Sequence, residues 1–266
     1  MTGEALDMSR PNVACTYDAL LGGHDNYAAD RDLAARIGRL CPEAREMAAA
    51  NREFIARAVT WAAGQGIRQF LDLGCGYPLA PGARRNPRAL RGAYEAALDA
   101  CPGEVTACVD ADPMVTAYIT ALEPPGAVAV CADLAGPEAV LADPALREVI
   151  DLSEPVCLVL GLVLNLMPGQ QAREVVAGYA DLIAPGSCVA VSCGRCDDEA
   201  MWQQLSEAYT AAAAYNHTPA EVAGFPAGLE LVPPGLTAAQ SWRGGWHDVP
   251  VTPPGPAYVL AGVAKK

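Results

Sequence analysis

The sequence is poor in positive charge: 18 Lys and Arg residues stand against 31 Asp and Glu in 266, a net charge of −13. A surface of that sign repels a phosphate backbone, and the basic cluster Arg84, Arg85, Arg88 and Arg91 reads as one solvated loop-and-helix face. Nucleic acid is therefore not an expected partner. Histidine is scarce as well, with His24, His217 and His247 far apart. A zinc site needs clustered histidines or a second cysteine pair, so Cys193-Gly194-Arg195-Cys196 reads as a strand end and no metal is expected. Aromatic residues are only 6 % of the chain while apolar residues are 52 %, much of it alanine, which predicts a finely textured core. The longest apolar run, Val156 to Met167, is interrupted by Gly161 and Asn165 and is too short to span a membrane. Residues 1–10 show no basic start followed by an apolar core, and Cys108, Cys131, Cys157 and Cys188 lie inside apolar runs as small core residues. The expected compartment is the reducing cytoplasm.

What is present is a change of texture near residue 67. At this length the chain fits one large domain, or a domain with a modest extension. Residues 1–66 read as a helical extension: Asn12 to Leu21, closed by Gly22-Gly23, then Arg31 to Leu40, then Pro42 to Ala63, closed by Gly64 and Gly66. Residues 67–266 alternate strand and helix. Strands are expected at 67–73, 104–109, 127–131, 155–161 and 186–192, with helices at 86–100, 112–122, 136–150, 169–184 and 198–215. Regular alternation predicts an α/β fold with a parallel sheet and helices on both faces. The last two strands, Leu229–Val232 and Tyr258–Val263, have no helix between them and suit an antiparallel pair at the sheet edge. Five parallel strands with such a closing pair make the seven-stranded, Rossmann-like sheet of class I methyltransferases.

Three of the apolar runs end in acid: Phe70-Leu71-Asp72-Leu73-Gly74-Cys75-Gly76, Ala107-Cys108-Val109-Asp110 and Val130-Cys131-Ala132-Asp133. An acid where a parallel strand leaves the sheet faces the crevice in which nucleosides bind. A dinucleotide fingerprint needs a third glycine opening directly into a helix, because the helix N-terminus holds the pyrophosphate. Here Tyr77, Pro78 and Leu79 follow instead, which counts against an NAD-linked oxidoreductase. S-adenosylmethionine has no phosphate and needs only close backbone approach at Gly74 and Gly76. On that reading Asp110, beside Ala111, accepts from the ribose hydroxyls. Asp133 takes the adenine amino group under Leu134, and Asp72 orders the glycine loop and neutralises the ligand's ammonium. Asp112 is the better candidate for capping the helix that starts at Pro113.

The segment from Arg10-Pro11-Asn12 through Tyr17-Asp18 and Gly22-Gly23-His24-Asp25-Asn26-Tyr27 to Asp30-Arg31 resembles the opening signature of an actinobacterial S-adenosylmethionine-dependent methyltransferase family. That family was first catalogued as a domain of unknown function. The resemblance continues through Ile67–Gly76, Val109–Pro113, Ala132–Leu134, Leu182–Ser187, Leu229–Leu236 and Gly262–Lys266. It departs at Tyr77–Ala80 and Asn86–Ala89, and at Asn165, where the family tends to carry histidine. The resemblance implies a lid over the cofactor carrying Tyr17, Gly23 and Asn26; an aromatic face also attracts a sulfonium and excludes water. His24 is the leading candidate for a general base. The acceptor pocket is expected beyond the fourth and fifth strands, near Asn165, Leu166, Met167 and Cys193, roofed by residues 10–31 and by the loop carrying Trp242 and Trp246. The expected activity is methyl transfer to an oxygen or nitrogen of a small molecule; a non-catalytic cofactor-binding sensor or partner protein is the alternative.

Overall fold

A computed structural model describes residues 8–79, 89–244 and 255–266. In chain order its helices and strands are α1 (Val13–Leu21), α2 (Ala28–Leu40), α3 (Ala44–Gly64), β1 (Gln69–Leu73), α4 (Ala93–Ala100), β2 (Val105–Asp110), α5 (Pro113–Leu122) and β3 (Ala127–Cys131). There follow α6 (Pro137–Leu141), α7 (Pro144–Val149), β4 (Val156–Gly161), α8 (Gly169–Leu182), β5 (Cys188–Cys196) and α9 (Glu199–Ala208). The C-terminal part holds α10 (Pro219–Gly224), β6 (Glu230–Leu231), β7 (Thr237–Ala238) and β8 (Ala257–Lys265).

The strands form one sheet in the order β3-β2-β1-β4-β5-β8-β6, with β7 also pairing β8. The first five are parallel, and β8 runs antiparallel to β5 along its whole length, from Cys188 opposite Lys265 to Cys196 opposite Ala257. The sheet thus has eight strands rather than seven. The expected closing pair is there, β6 against β8, and a third short piece, β7, reaches β8 beside Gly262, where a Cβ would stand 3.3 Å from the Gly235 carbonyl oxygen.

Period-two alternation sends successive residues to opposite faces, and both faces are covered. Leu71, Leu73, Val109, Leu158, Leu160 and Val189 pack with Val140, Leu146, Val176 and Tyr179 of α6, α7 and α8. Phe70, Cys157, Val159, Ala190 and Val263 pack on the other face with Phe54, Ile55, Val59 and Ala97 of α3 and α4. The C-terminal half of α3 is thereby part of the main core, while α1 and α2 lie beyond the strand ends.

Three helices are shorter than the sequence pattern predicts, two of them for identifiable reasons. The 136–150 segment divides because Asp143 accepts from Ala145 N and Leu146 N and caps a new helix whose first residue, Pro144, has no N–H. The 198–215 helix stops at Ala208 because the backbone beyond it is bonded elsewhere. Tyr215 N donates to Asn165 O at 2.8 Å, Asn165 Nδ2 donates to Tyr215 O at 2.8 Å, and Asn216 bonds both backbone groups of Cys196. The 86–100 helix starts at Ala93; residues 86–88 lie outside the described ones, as do Ala80, Arg84, Arg85, Trp246 and His247.

Candidate functional site

The sheet order reverses between β1 and β4, and at the carboxyl ends of these strands lies a cavity of about 830 Å³. The turn after β1 forms one wall. Gly74 and Gly76 have φ of +74° and +61°, a region that favours glycine, and Gly74 N and Cys75 N both donate to Val109 O. The two glycines have different neighbours. A Cβ on Gly74 would stand 2.6 Å from Val163 Cγ2, whereas one on Gly76 would meet no protein atom within 4 Å. Gly74 permits packing; Gly76 leaves the cavity open at backbone level.

Asp110 closes the same turn. Its Oδ2 accepts from Gly76 N and its Oδ1 from Asp112 N, both at 3.0 Å, and each oxygen keeps a further lone pair. Burial raises its pKa, with the backbone donors opposing. Ala111, Asp133 and Leu134 line the cavity beside it. Asp133 spends one oxygen on Ala135 N, at 2.9 Å, so it serves as a turn cap with its second oxygen uncommitted. Asp112 caps α5 through Met114 N, as its position before Pro113 predicts.

Asp72 lines the cavity at the end of β1 and is buried, with no hydrogen-bond partner on its carboxyl group among the described residues. Burial pushes its pKa up to about 7, against the pull of the nearby Arg52 guanidinium. Arg52, from α3, is itself buried; Nη2 donates to Tyr77 O at 3.1 Å while Nε has no partner. Thr16 Oγ1, buried in α1 and also on the cavity wall, likewise has none. Tyr17 brings α1 and α3 together: its hydroxyl donates to Ala48 O and accepts from Asn51 Nδ2, and Arg52 stacks over its ring. Two residues with orphaned polar atoms, a buried carboxyl group and open space above Gly76 therefore line one cavity.

Residues 1–266, the whole chain, match the signature of a family described as S-adenosyl methyltransferase. The chain belongs to the S-adenosyl methyltransferase family. It is 33 % identical to a Thermobifida fusca YX protein of known structure assigned to the methyltransferases, covering 98 % of this chain and 97 % of that one with a TM-score of 0.85. A DUF574 family protein of Streptomyces avermitilis is 29 % identical over 98 % of this chain and 100 % of its own, with a TM-score of 0.83. The plantazolicin methyltransferase BamL, solved with S-adenosylhomocysteine, shares the fold at 10 % identity over 95 % of each chain, TM-score 0.51. No curated protein matches. The protein is an S-adenosylmethionine-dependent methyltransferase, and the cradle described above fits that ligand. The glycine turn does not open directly into a helix, the cradle offers carboxylates for hydroxyl and ammonium donors, and it leaves an arginine nitrogen unpaired.

The rest of the family's N-terminal signature has a different location. Gly23 and Asn26 do not line the main cavity; they fold the α1–α2 loop onto Asp18, which accepts from Asp25 N and Asn26 Nδ2, both at 2.8 Å. A Cβ on Gly23 would collide with the Asp18 carboxylate. His24 lines a second cavity of about 610 Å³ with Asp25, Tyr77 and Tyr118. The structure therefore places His24 on the second cavity and not on the wall of the main one.

Beyond the fourth strand, Asn165 and Met167 do line the main cavity. The Asn165 amide is fully engaged, however: Nδ2 donates to Gly194 O and Tyr215 O, and Oδ1 accepts from Gly194 N. It builds the wall rather than reaching for a ligand. Cys193 is fully buried and off the cavity, and Cys196, three residues along β5, packs in a different cluster. Trp242 roofs nothing. It is buried in the core that α3 shares with β8, with its ring edge-on to Phe54 and Trp61, and Arg57 donates to its carbonyl oxygen. The sequence reading missed Arg52, Thr16 and Asn51, and a set of apolar residues from α2 and α9 at the far end of the cavity.

Proposed function

We propose that the protein transfers a methyl group from S-adenosylmethionine to an oxygen or nitrogen nucleophile of a small molecule. The observation that carries this reading is the continuity of one cavity, about 830 Å³, from the charged cofactor edge to an apolar far wall. Small-molecule sites span about 300–1,000 Å³, and a cavity at the upper end has room for a nucleoside ligand and a second small molecule. When bound, S-adenosylmethionine supplies a methyl group on a cationic sulfur; the acceptor's lone pair forms the new bond as the sulfur–methyl bond breaks, and a proton leaves the acceptor.

Each residue at the edge then has a task. Asp110 accepts from the ribose hydroxyls and Asp133 from the adenine amino group, with Leu134 and Ala111 against the ring. Asp72 and Arg52 hold the ammonium and carboxylate of the amino-acid part, and Tyr17 keeps Arg52 in place and shields the methyl from water. Residues 1–66 act as a helical extension whose first helix covers the 67–266 transferase domain. No histidine among the described residues lines this cavity; His217 is buried and bonded to Leu164 O. Positioning and removal of water are therefore the main sources of rate, as suits a methyl already activated by its leaving group. Calorimetric titration with S-adenosylhomocysteine tests the cofactor assignment, and methyl-labelled cofactor incubated with phenols and amines tests transfer. Tight binding with no transfer to any of them would favour a non-catalytic binder.

A further inference from the structure

Every charged residue on the wall of the main cavity stands at one end. Arg52, Asp72, Asp110, Asp112 and Asp133 surround the cofactor edge. The other end is built by Leu20 of α1, Ile37 of α2, Cys41, Met47 of α3, and Trp202 and Leu205 of α9, with Tyr209 just beyond that helix. These side chains pack as one hydrophobic cluster at the end of the sheet, with Cys196 of β5 and Ala257 of β8, and Met47 joins it to the core under α3. Among the described residues this far end holds no acidic, basic or histidine side chain.

Removing a charged group from water into such a chamber costs several kcal/mol, with roughly tens for an isolated ion in a dry medium. A charged acceptor is excluded on that ground, while each buried methylene of a neutral one adds about 0.8 kcal/mol. The polar groups on this wall include the Trp202 indole N–H and the Tyr209 hydroxyl. Among the described residues the Tyr209 hydroxyl has no hydrogen-bond partner, although its backbone N–H is paired to Leu205 O at 2.9 Å. Burial pushes the Tyr209 pKa up to about 12, so the phenol is neutral at physiological pH and is available as a donor.

We propose that the chamber between α2, α3 and α9 is the methyl-acceptor site and takes a neutral, largely apolar molecule bearing an oxygen that accepts from Tyr209. This rests on the transferase reading above and narrows its substrate class. The apolar body then lies against Trp202 and Leu205, with the nucleophile toward the charged end.

Probe molecules of stated chemistry test the assignment. Phenol, 4-propylphenol and 4-hexylphenol are titrated calorimetrically into the protein, with and without S-adenosylhomocysteine, beside 4-hydroxybenzoate and tyramine as anionic and cationic counterparts. The expected result is affinity rising by about fourfold per buried methylene, with the charged probes at least about tenfold weaker than 4-propylphenol. Leu205→Glu flattens the chain-length series, with retained S-adenosylhomocysteine affinity showing that the variant folds. Tyr209→Phe removes the extra affinity of a 4-hexylphenol analogue carrying a ketone on its chain and leaves 4-hexylphenol itself unchanged. Equal affinity for neutral and charged probes, or no chain-length dependence, overturns the proposal, and an unchanged ketone advantage in Tyr209→Phe overturns the role of Tyr209. Failure of S-adenosylhomocysteine to bind would sink the transferase reading instead, and the probe series on the unliganded protein would still decide the character of the chamber.

Discussion

The Arg52 guanidinium carbon lies 5.5 Å from the centre of the Tyr17 ring, and Tyr17 is fixed from two sides, donating to Ala48 O at 3.0 Å and accepting from Asn51 Nδ2 at 2.9 Å. A buried cation held over an aromatic face, with a donor that has no partner, is poised for an anion. Arg52 Nε is that donor.

Replacing this group tests the idea directly. Arg52→Met is expected to lower affinity for S-adenosylhomocysteine by about ten- to a hundredfold, the size of a lost hydrogen bond to a charged group. Calorimetric titration measures it, with thermal melting as a check on folding. Wild-type affinity in a folded variant would remove Arg52 from the cofactor site.

Asp72 is expected to make cofactor binding depend on pH. Its carboxyl pKa is raised to about 7 by burial, so in the unliganded protein its contribution to stability is full below the ordinary carboxylate range and is lost as pH rises through about 7. A ligand ammonium beside it favours the charged form. The rise in melting temperature caused by S-adenosylhomocysteine is therefore expected to be larger at about pH 8 than at about pH 6. Asp72→Asn should abolish the difference; persistence of the same pH dependence in that variant would assign it to another group.

The two glycines of the loop separate folding from binding. Gly74→Ala forces a methyl against Val163 at a positive φ, so it is expected to cost about 2–4 kcal/mol and to lower the melting point by several degrees. Gly76→Ala meets no protein atom, so its folding cost is limited to about 1–2 kcal/mol of backbone strain. Its methyl enters the cofactor volume, and S-adenosylhomocysteine affinity should fall more than in any variant of equal stability. Equal losses of affinity in both variants would show that Gly76 does not face the ligand.

His24 provides a test of the opposite kind. It lines the smaller cavity, so His24→Ala is expected to change transfer rate and cofactor affinity by about twofold at most. A large loss of rate with cofactor affinity intact would restore it as a base.

Legibility in the sequence followed distance along the chain. The cofactor edge was readable because each acid ends its own apolar run: Asp72, Asp110 and Asp133 needed only local pattern. Arg52 did not, since it sits 20 positions before Asp72 in an alanine-rich helix. A signal was present all the same: Asn51 and Arg52 fall on the buried stripe of α3 with Ala48, Ile55, Val59 and Ala62, where a charged side chain needs a reason. The signature motif was legible as a family mark but not as geometry. Gly23 and Asn26 serve Asp18 and the loop, whereas Tyr17 serves the cavity. The chamber around Tyr209 was hidden by the break after Ala208, which depends on Asn165 holding Tyr215 from another part of the chain.

Asn12 joins parts that are otherwise far apart. It caps α1 through Cys15 N, donates its own N–H to Asp30, and donates from Nδ2 to Asp112, which in turn donates its N–H to Asp110. The helix over the acceptor chamber is thus wired to the carboxylate assigned to the ribose. Anything that steadies Asp110 also steadies that helix, and the coupling is reciprocal. The consequence is mutual strengthening: S-adenosylhomocysteine is expected to raise the affinity of an apolar phenol, and the phenol to raise that of S-adenosylhomocysteine, by the same factor. Calorimetric titration of each in the presence of the other reads that factor, and no mutual effect would show that the Asn12 connection transmits nothing.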